Sequence, residues 1–453
     1  MKTTLSPTLA SALPSPWAIA AALLAALAVI GALALLMRRR QEAFPLLAIF
    51  ALPFRLPISA DGRTVNLLIP LYLVVAAGTL AHLVPRWLGR RASEGPARSP
   101  IVLEWLLLGA VALYVVQGVY STDHAKAAEN VAFFYIPFGL LFMLLRDVRW
   151  TRELVLACLG VAVALAVVFA GVGFVEYYRK TLFLNPKVGA ANQYGNYFRV
   201  NSLFFDPSIY GRFLAIVMIA VTTGVLWSRS RRELLFGAGV LAWLLGGLIT
   251  SFSQSSIVAL LLGLAVLAAC RWDRRATLYV AIAAAAIAAV VVVTAPPSLH
   301  FGLNGSGGST SNATSGRTKL IYGGLELFAK RPLEGYGSGS FETEYKRHRK
   351  ASAGNATSAS HTIPVTVAAE QGILGVVVYV ALLIAAFTVL FAGAGRSPPR
   401  IAIAACFAAL VLHTWTYADF LEDPITWTLL GIGVALARGE GVREGGGRGQ
   451  VLL

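Results

Sequence analysis

The chain is dominated by apolar runs that approach the length needed to cross a lipid bilayer. A transmembrane helix needs about 20 consecutive apolar residues, because each residue rises about 1.5 Å through a hydrocarbon core about 30 Å thick. Such runs recur along the whole chain, at 17–37, 44–59, 65–84, 101–119, 131–145, 153–175, 209–227, 234–251, 255–270, 276–294, 372–394, 401–417 and 424–437. They indicate thirteen spans. The alternative is twelve, because Pro45, Pro53 and Pro57 interrupt the short run at 44–59.

Composition supports a membrane protein over a soluble domain. Of the 453 residues, 57% are hydrophobic and only 13% are charged. The apolar runs do not alternate with polar residues, as the strands of a transmembrane barrel would. We therefore predict an all-α polytopic integral membrane protein with about 12–13 transmembrane helices.

The distribution of arginine predicts the orientation of these helices. Alternate connections are rich in arginine: Arg38–Arg40, Arg86, Arg90, Arg91, Arg98, Arg146, Arg149, Arg152, Arg229, Arg231, Arg232, Arg271, Arg274, Arg275, Arg396 and Arg400. Short loops rich in Lys and Arg stay in the cytoplasm, so this side is predicted to be cytoplasmic. The formal charge of +16 then reflects topology signals and does not indicate a nucleic acid partner. The predicted location is the cytoplasmic (inner) membrane.

Two long polar segments fall on the opposite, extracytoplasmic side. The smaller is 177–208, and the larger, 295–371, separates the tenth and eleventh predicted spans. Within the larger loop, residues 317–330 predict an amphipathic helix that lies on the membrane surface, with Leu320, Ile321, Leu325 and Phe328 on its apolar face. We expect residues 1–437 to form one transmembrane domain and the Gly-rich residues 438–453 to be a disordered cytoplasmic tail.

His361 is the candidate for proton transfer on the extracytoplasmic side. It lies in the Ser/Thr/Ala-rich stretch SASHTIPVTVAAEQGILG, a few residues before an apolar run. Imidazole changes its charge near neutral pH, which suits a general base. The alternative interpretation is that His361 caps the helix that follows it.

Arginines are the candidates for binding an anionic substrate. Arg199 and Arg212 lie in the stretch FRVNSLFFDPSIYGRF, and Arg317 opens the amphipathic segment of the large loop. Guanidinium groups bind phosphate oxygens in a planar, bidentate way that lysine does not reproduce. The alternative is that they pair with lipid headgroups or with nearby carboxylates. Arg55 interrupts an apolar run, where a charge is costly unless it faces a polar cavity.

The remaining polar features predict less. The glycine-rich stretch GYGSGS at 335–340 could present backbone N–H groups to an anion. Acidic residues in the outer loops are scattered without the spacing of metal ligands, so we expect neither a metal nor another cofactor.

Three stretches together resemble a known family, the O-antigen ligase and O-antigen polymerase-like membrane glycosyltransferases. The first is FRVNSLFFDPSIYGRFLAI, which contains Arg199. The second begins at Arg317 and continues LIYGGLELFAKRPLEGYGSGSF. The third joins His361 to the GILG stretch at 372–375. The resemblance covers roughly residues 177–379, and the three motifs in this order are more specific than any one of them.

The resemblance implies an activity and its partners. The donor would be an oligosaccharide on a polyprenyl diphosphate, and the acceptor would be a glycan or lipid hydroxyl at the outer face of the membrane. Arg199 and Arg317 would bind the diphosphate, and His361 would act as the base in an inverting, metal-independent transfer. Arg55 or Arg63 would supply a further basic group that the family carries near the third span.

Other functions remain open at this point. A polymerase of the same superfamily would join two lipid-linked repeat units and differs from a ligase only in its acceptor. A polysaccharide or lipid transporter or flippase would also suit a polytopic protein with an intramembrane arginine. Scarce charges within the spans, the lack of a two-half repeat and the one-sided loop argue against transport. A sensor or scaffold would leave the three basic residues uncorrelated in space.

Overall fold

A computed structural model describes residues 16–60, 63–89, 101–184, 198–272, 275, 311–349, 360 and 362–444. These residues form a helical bundle with one short β-hairpin. The helices are α1 Pro16–Arg39, α2 Ala43–Ala51, α3 Ile69–Trp87, α4 Val102–Gly118, α5 His124–Arg146, α6 Arg152–Arg179, α7 Pro207–Trp227, α8 Arg231–Thr250, α9 Gln254–Arg271, α10 Ser311–Lys330, α11 Phe341–Arg349, α12 Ile363–Phe391, α13 Pro398–Thr416 and α14 Pro424–Glu444.

The all-α membrane fold predicted from the sequence is confirmed. In the described part of the chain, nine helices are long and apolar enough to cross a bilayer, namely α1, α3, α5–α9, α12 and α13. The 17-residue α4 is apolar but shorter, and α14 packs against α5. The predicted span at 276–294 lies outside the described residues.

The predicted span at 44–59 is wrong. Helix α2 stops at Ala51, two residues before Pro53, which has no N–H to continue the helical bonding. The chain then forms an antiparallel hairpin from β1 Leu56–Ala60 and β2 Arg63–Leu67, in which Ala60 pairs with Arg63. The run therefore begins as a helix of nine residues and ends as a strand.

Arginine-rich segments meet at one end of the bundle, which we call the arginine end. Glu104, at the start of α4, binds Arg146 of α5 at 2.9 Å and Arg438 of α14 at 3.0 Å. Arg86 of α3 pairs with Asp147, just after α5, at 2.5 Å. These ion pairs join segments that the arginine pattern assigns to one side of the membrane.

The other end, which we call the loop end, is formed by the connections 119–123, 198–206, 251–253, 331–340 and 417–423. Hydrogen bonds join them to each other and to the neighbouring helices. Thr122 N–H donates to the carbonyl of Tyr336 at 3.3 Å, and Val200 N–H donates to the carbonyl of Thr250 at 3.2 Å. The Asn130 amide of α5 donates to Glu422 at 2.9 Å.

The large polar loop contains two helices and the beginning of a third. Helix α12 begins at Ile363, nine residues before the predicted span at 372, with Pro364 in its first turn. Helix α10 spans the segment 317–330, which the sequence predicts to be an amphipathic helix. Its buried face shares Leu320 with the predicted apolar face but differs from it at Leu325. Leu320 and Leu327 are buried, whereas Leu325 is 44% exposed.

Glycines explain which face of α10 is buried. A Cβ at Gly323 would lie 2.3 Å from the ring of Tyr345 in α11, and one at Gly324 would lie 2.5 Å from Val365 in α12. The helix therefore packs closely on α11 and α12 through its glycine face. A small apolar core of its own, with Leu320, Leu327, Tyr336, Phe341, Tyr345 and Ala369, holds this unit together.

Candidate functional site

The turn between α10 and α11, residues 331–340 (RPLEGYGSGS), is the centre of the loop end, and we call it the glycine turn. Gly335, Gly337 and Gly339 all have positive φ angles, of 69°, 94° and 75°. Residues with a side chain rarely adopt positive φ angles, which explains why every second residue of this stretch is a glycine. A Cβ at Gly337 would also lie 2.3 Å from the Cα of Ser121, so the turn is pressed against the segment after α4.

The glycine turn encloses the carboxylate of Glu370, which lies in α12 and is buried. The Gly339 N–H donates to Oε2 at 2.9 Å and the Phe341 N–H donates to Oε1 at 3.0 Å. The sequence predicts that this turn presents backbone N–H groups to an external anion. For these two groups the prediction is wrong, because they bind a carboxylate of the protein itself.

Side chains at the end of α4 fix the glycine turn from the opposite direction. The Gln117 amide donates to the carbonyl of Gln371 at 3.2 Å, and the Ser121 hydroxyl donates to that of Ser338 at 2.8 Å. The Tyr120 hydroxyl donates to the carbonyl of Glu334 at 2.7 Å. The turn is therefore bound on both sides by groups within hydrogen-bonding distance.

Two sequence motifs meet in this unit. The N–H of Ile373, in the GILG stretch, donates to the carbonyl of Pro332 at 2.7 Å. A Cβ at Gly372 would lie 2.2 Å from the carbonyl oxygen of Leu333. The GILG and glycine-turn motifs are thus the two halves of one packed contact.

Replacing Gly372 by alanine should destabilise this contact. Gly372 has a φ of 65°, and a Cβ there would overlap the backbone of Leu333. We expect a loss of about 1–3 kcal/mol of unfolding free energy from the backbone alone, because φ 65° with ψ −161° is a region that essentially only glycine adopts. Thermal unfolding of purified protein in detergent measures it. Gly160→Ala, in helix α6 with open space around it, is the control and should not lower stability; equal melting for both variants would contradict the prediction.

The structure describes only part of the segments that carry the predicted base His361 and Arg317. His361 lies outside the described residues; the buried Ser360 donates through its hydroxyl to the carbonyl of Thr362 at 2.7 Å. Arg317 lies in α10, and its side chain is outside the described part of the structure. Its position is seven residues before Gly324, which places both on one helical face. That face carries the contact of Gly324 with Val365, near the start of α12.

Arg199 lies in the loop 198–206 and is half-buried. Its Nε donates to the carbonyl of Ser251 at 3.2 Å. The buried carboxylate of Glu176, in α6, fixes the same loop by accepting the N–H groups of Asn201 at 3.3 Å and Ser202 at 2.7 Å. The loop that carries Arg199 is therefore bound to both α6 and the turn after α8.

Arg212, which the sequence predicts to bind the substrate, is buried and forms an ion pair. It is 1% exposed, and its Nη2 lies 2.6 Å from Oδ2 of Asp423. Asp423 also accepts the N–H of Ile425 at 2.9 Å at the start of α14. Within the described residues, Nε and Nη1 of Arg212 have no hydrogen-bond partner.

Arg55 faces the same region. It lines a narrow cavity together with Phe204, Phe213 and Asp423. Arg55 therefore borders a partly polar space at the loop end, as the cost of a charge in lipid requires. Arg63 lies in β2, and its side chain is outside the described part of the structure.

Acidic groups in the loop 417–423 adjoin these arginines. Burial raises the pKa of Asp419, against the opposing charges of Arg212 and Arg55. Burial also raises the pKa of Glu422 to about 8, and the charge of Asp419 acts in the same direction. Burial thus favours the neutral form of Glu422, which lies beside Asn130. Within the described residues, no group of His, Cys, Asp and Glu is arranged to hold a metal ion.

The backbone segments that carry Arg199, Arg55 and Arg212 thus lie together at the loop end. Ser253, two residues after the partner of Arg199, lies beside Gly211. Whether the side chains of Arg317 and His361 join them stays a prediction. Sequence reasoning missed Glu176 and Glu370 as structural carboxylates, although each is a lone acid within two residues of a predicted apolar run, where an unpaired charge is costly.

The comparison with protein-family models found a match that covers part of this site. Residues 239–380 match the family model described as O-antigen ligase. This range contains α10, α11, the glycine turn and the first half of α12. The comparison with curated proteins found no match.

Proposed function

We propose that this chain, whose residues 239–380 match the family model described as O-antigen ligase, transfers a glycan from a polyprenyl-diphosphate-linked donor to an acceptor hydroxyl. The reaction takes place at the outer face of the cytoplasmic membrane. The membrane-embedded helices hold the lipid of the donor, so that the sugar is presented at the loop end. Partners of this family are, in general, a lipid-linked glycan and an acceptor.

The leaving group defines the role of the arginines. As the bond between the sugar and the diphosphate oxygen breaks, negative charge grows on the polyprenyl diphosphate. Arg199 and Arg317 neutralise that charge in the transition state, and one such preorganised donor contributes about 3 kcal/mol. Arg55 borders the same end and assists them, and Arg63 is a further candidate. Arg212 contributes through Nε and Nη1, which have no hydrogen-bond partner in the part of the chain that the structure describes.

His361 acts as the general base. Its neutral imidazole takes the proton of the acceptor hydroxyl while the acceptor oxygen attacks the anomeric carbon and the diphosphate leaves. A single displacement of this kind inverts the anomeric centre. Proton transfer by a positioned base contributes about 10²- to 10⁴-fold in rate.

One observation supports the proposal most directly. The glycine turn, the GILG stretch and the helix that bears Arg317 form one packed unit, and this unit lies inside the matching range 239–380. A lipid or polysaccharide transporter needs no such unit on one end of the bundle. A polymerase would use it as a ligase does, with another lipid-linked repeat as its acceptor.

An acceptor screen distinguishes these functions. Purified protein would be given one defined polyprenyl-diphosphate oligosaccharide and either a lipid-core acceptor or a second copy of the lipid-linked oligosaccharide. Transfer to the lipid core alone supports a ligase, and chain extension on the diphosphate lipid supports a polymerase. Donor movement across liposomes without any new glycosidic bond would contradict the proposal and support a flippase.

Replacing Arg317 or Arg199 by lysine should lower turnover, although the charge is kept. Lysine is a point charge and does not bind two phosphate oxygens as a planar fork, so we expect roughly a 10- to 100-fold loss. The same assay measures it. Arg349→Lys is the control, since Arg349 is exposed at the end of α11 and its ion pair with Glu326 at 2.7 Å is one that lysine can also make. Wild-type turnover in the Arg317 and Arg199 variants would contradict bidentate binding.

A further inference from the structure

We propose that Glu370 is a positioning residue for glycan transfer, which holds the first turns of α12 in register with α10. This inference rests on the proposed function, because it assigns His361 and Arg317 to one reaction. Glu370 itself is buried under the glycine turn and contacts no substrate.

The first part of α12 is separated from the rest of the helix. Gly372 has φ 65° and ψ −161°, so the helix is interrupted there. In a continuous helix, the carbonyls of Ala369 and Glu370 would accept from residues 373 and 374. Here these two carbonyls accept from the N–H groups of Tyr336 at 3.2 Å and Gly337 at 2.8 Å, and the N–H of Ile373 donates to the carbonyl of Pro332. The nine residues from Ile363 to Gln371 therefore depend on the glycine turn for their position.

The carboxylate of Glu370 completes this contact between α12 and the glycine turn, which we call the joint. Its two oxygens accept two different N–H groups, those of Gly339 and Phe341, which lie at the end of the turn and the start of α11. Four backbone and carboxylate bonds of residues 369 and 370 thus fix one turn to one helix end.

The joint extends to α10. Phe341, whose N–H binds Glu370, packs its ring 3.1 Å from the Cβ position of Gly324. The same Cβ position lies 2.5 Å from Val365, in the first turn of α12. Arg317 is two helical turns before Gly324, and His361 is two residues before Ile363. Fixing Glu370 therefore fixes the segments that carry the two groups.

The test is Glu370→Gln. Glutamine offers one acceptor oxygen and places an NH₂ group against the second N–H, so the joint loosens while the side-chain volume is kept. Misplacement by about 1 Å can cost about 100-fold in rate. We expect kcat for transfer from a defined polyprenyl-diphosphate oligosaccharide to fall roughly 10- to 100-fold, with the donor KM changed less than about threefold.

Glu344→Gln is the matched control. Glu344 is also a buried carboxylate of this unit, but its partners are His348 and Arg347 and not the glycine turn. We expect its kcat to stay within about threefold of the wild type. A second variant, Gln117→Ala, weakens the same joint from α4 and should lower kcat by roughly three- to tenfold, which keeps the test valid if Glu370→Gln does not fold.

Hydrogen–deuterium exchange separates this inference from the proposed function. In Glu370→Gln, amides of residues 335–341 and 362–371 should exchange faster than in the wild type, with the rest of the bundle unchanged. Unchanged exchange in both segments, or faster exchange with wild-type kcat, would overturn the inference. If the wild type transfers no glycan, the proposed function fails, and the exchange result alone then decides whether Glu370 holds the joint.

Discussion

Replacing His361 by alanine should lower glycan transfer by about 10²- to 10⁴-fold, which is the largest effect on activity that we expect from one substitution. The acceptor hydroxyl is a poor nucleophile while it keeps its proton. Removing the imidazole leaves only water to accept that proton, without the fixed position that a side chain provides. Binding of the donor should be little changed, because the diphosphate is assigned to the arginines.

The measurement combines transfer and binding. Turnover is followed with purified protein, a fluorescent polyprenyl-diphosphate oligosaccharide and an acceptor identified by the screen above. Donor affinity is measured separately without acceptor. A fall in kcat at constant donor affinity would support the role of a base, since the lost interaction then belongs to the transition state.

His348→Gln is the matched control for this variant. His348 lies in the same large polar segment, but its Nδ1 is 3.0 Å from the carbonyl of Glu344, within its own helix α11. We expect transfer by His348→Gln to stay within a few-fold of the wild type. If His361→Ala transfers glycan at the wild-type rate, His361 is not the base, and its role as a helix cap becomes the better interpretation.

Much of the architecture can be predicted from the sequence because two physical constraints determine it, the thickness of the bilayer and the distribution of positive charge. The length of an apolar run is set by bilayer thickness, and the sidedness of the loops is set by arginine. The contacts of Glu104 with Arg146 and Arg438 agree with this, since they unite segments assigned to one side. Both constraints act along the chain and need no knowledge of tertiary contacts.

The details of the site are harder to predict because they depend on contacts between distant segments. An apolar window does not distinguish the start of a helix from its kink, so α12 was expected at 372 when Pro364 already opens it. The apolar face of α10 is predicted only in part for a related reason, since Leu320 is buried as expected and Leu325 is not. Its packing follows Gly323 and Gly324, which carry no side chain to indicate burial.

The carboxylates show the same limit. Glu370 lies 31 residues from Gly339 in the chain, and Glu176 lies 26 residues from Ser202. No local pattern predicts which N–H groups each will accept. What the sequence does show is a lone acid beside an apolar run. A buried charge without a partner is costly there, so the acid predicts a partner without identifying it.

Replacing Arg212 by methionine should lower the free energy of unfolding by about 3–5 kcal/mol, the largest expected effect on stability. Arg212 and Asp423 are both buried and lie 2.6 Å apart, so the substitution leaves a buried carboxylate without its counter-charge. Arg212 also opposes the rise in the pKa of Asp419, so that a second acidic group loses a favourable neighbour. Chemical unfolding in detergent micelles, monitored by tryptophan fluorescence, measures the loss.

The double variant Arg212→Met with Asp423→Asn distinguishes a structural role from a catalytic one. Asparagine retains an oxygen for the N–H of Ile425 and removes the unpaired charge, so most of the lost stability should return. If Arg212 serves only the ion pair, transfer should return together with stability. Because its Nε and Nη1 lack partners in the described residues, we expect instead that transfer stays at least about tenfold below the wild type in the stable double variant. Full recovery of transfer would remove Arg212 from the set that binds the diphosphate and leave that role to Arg199, Arg317 and the basic residues near the hairpin.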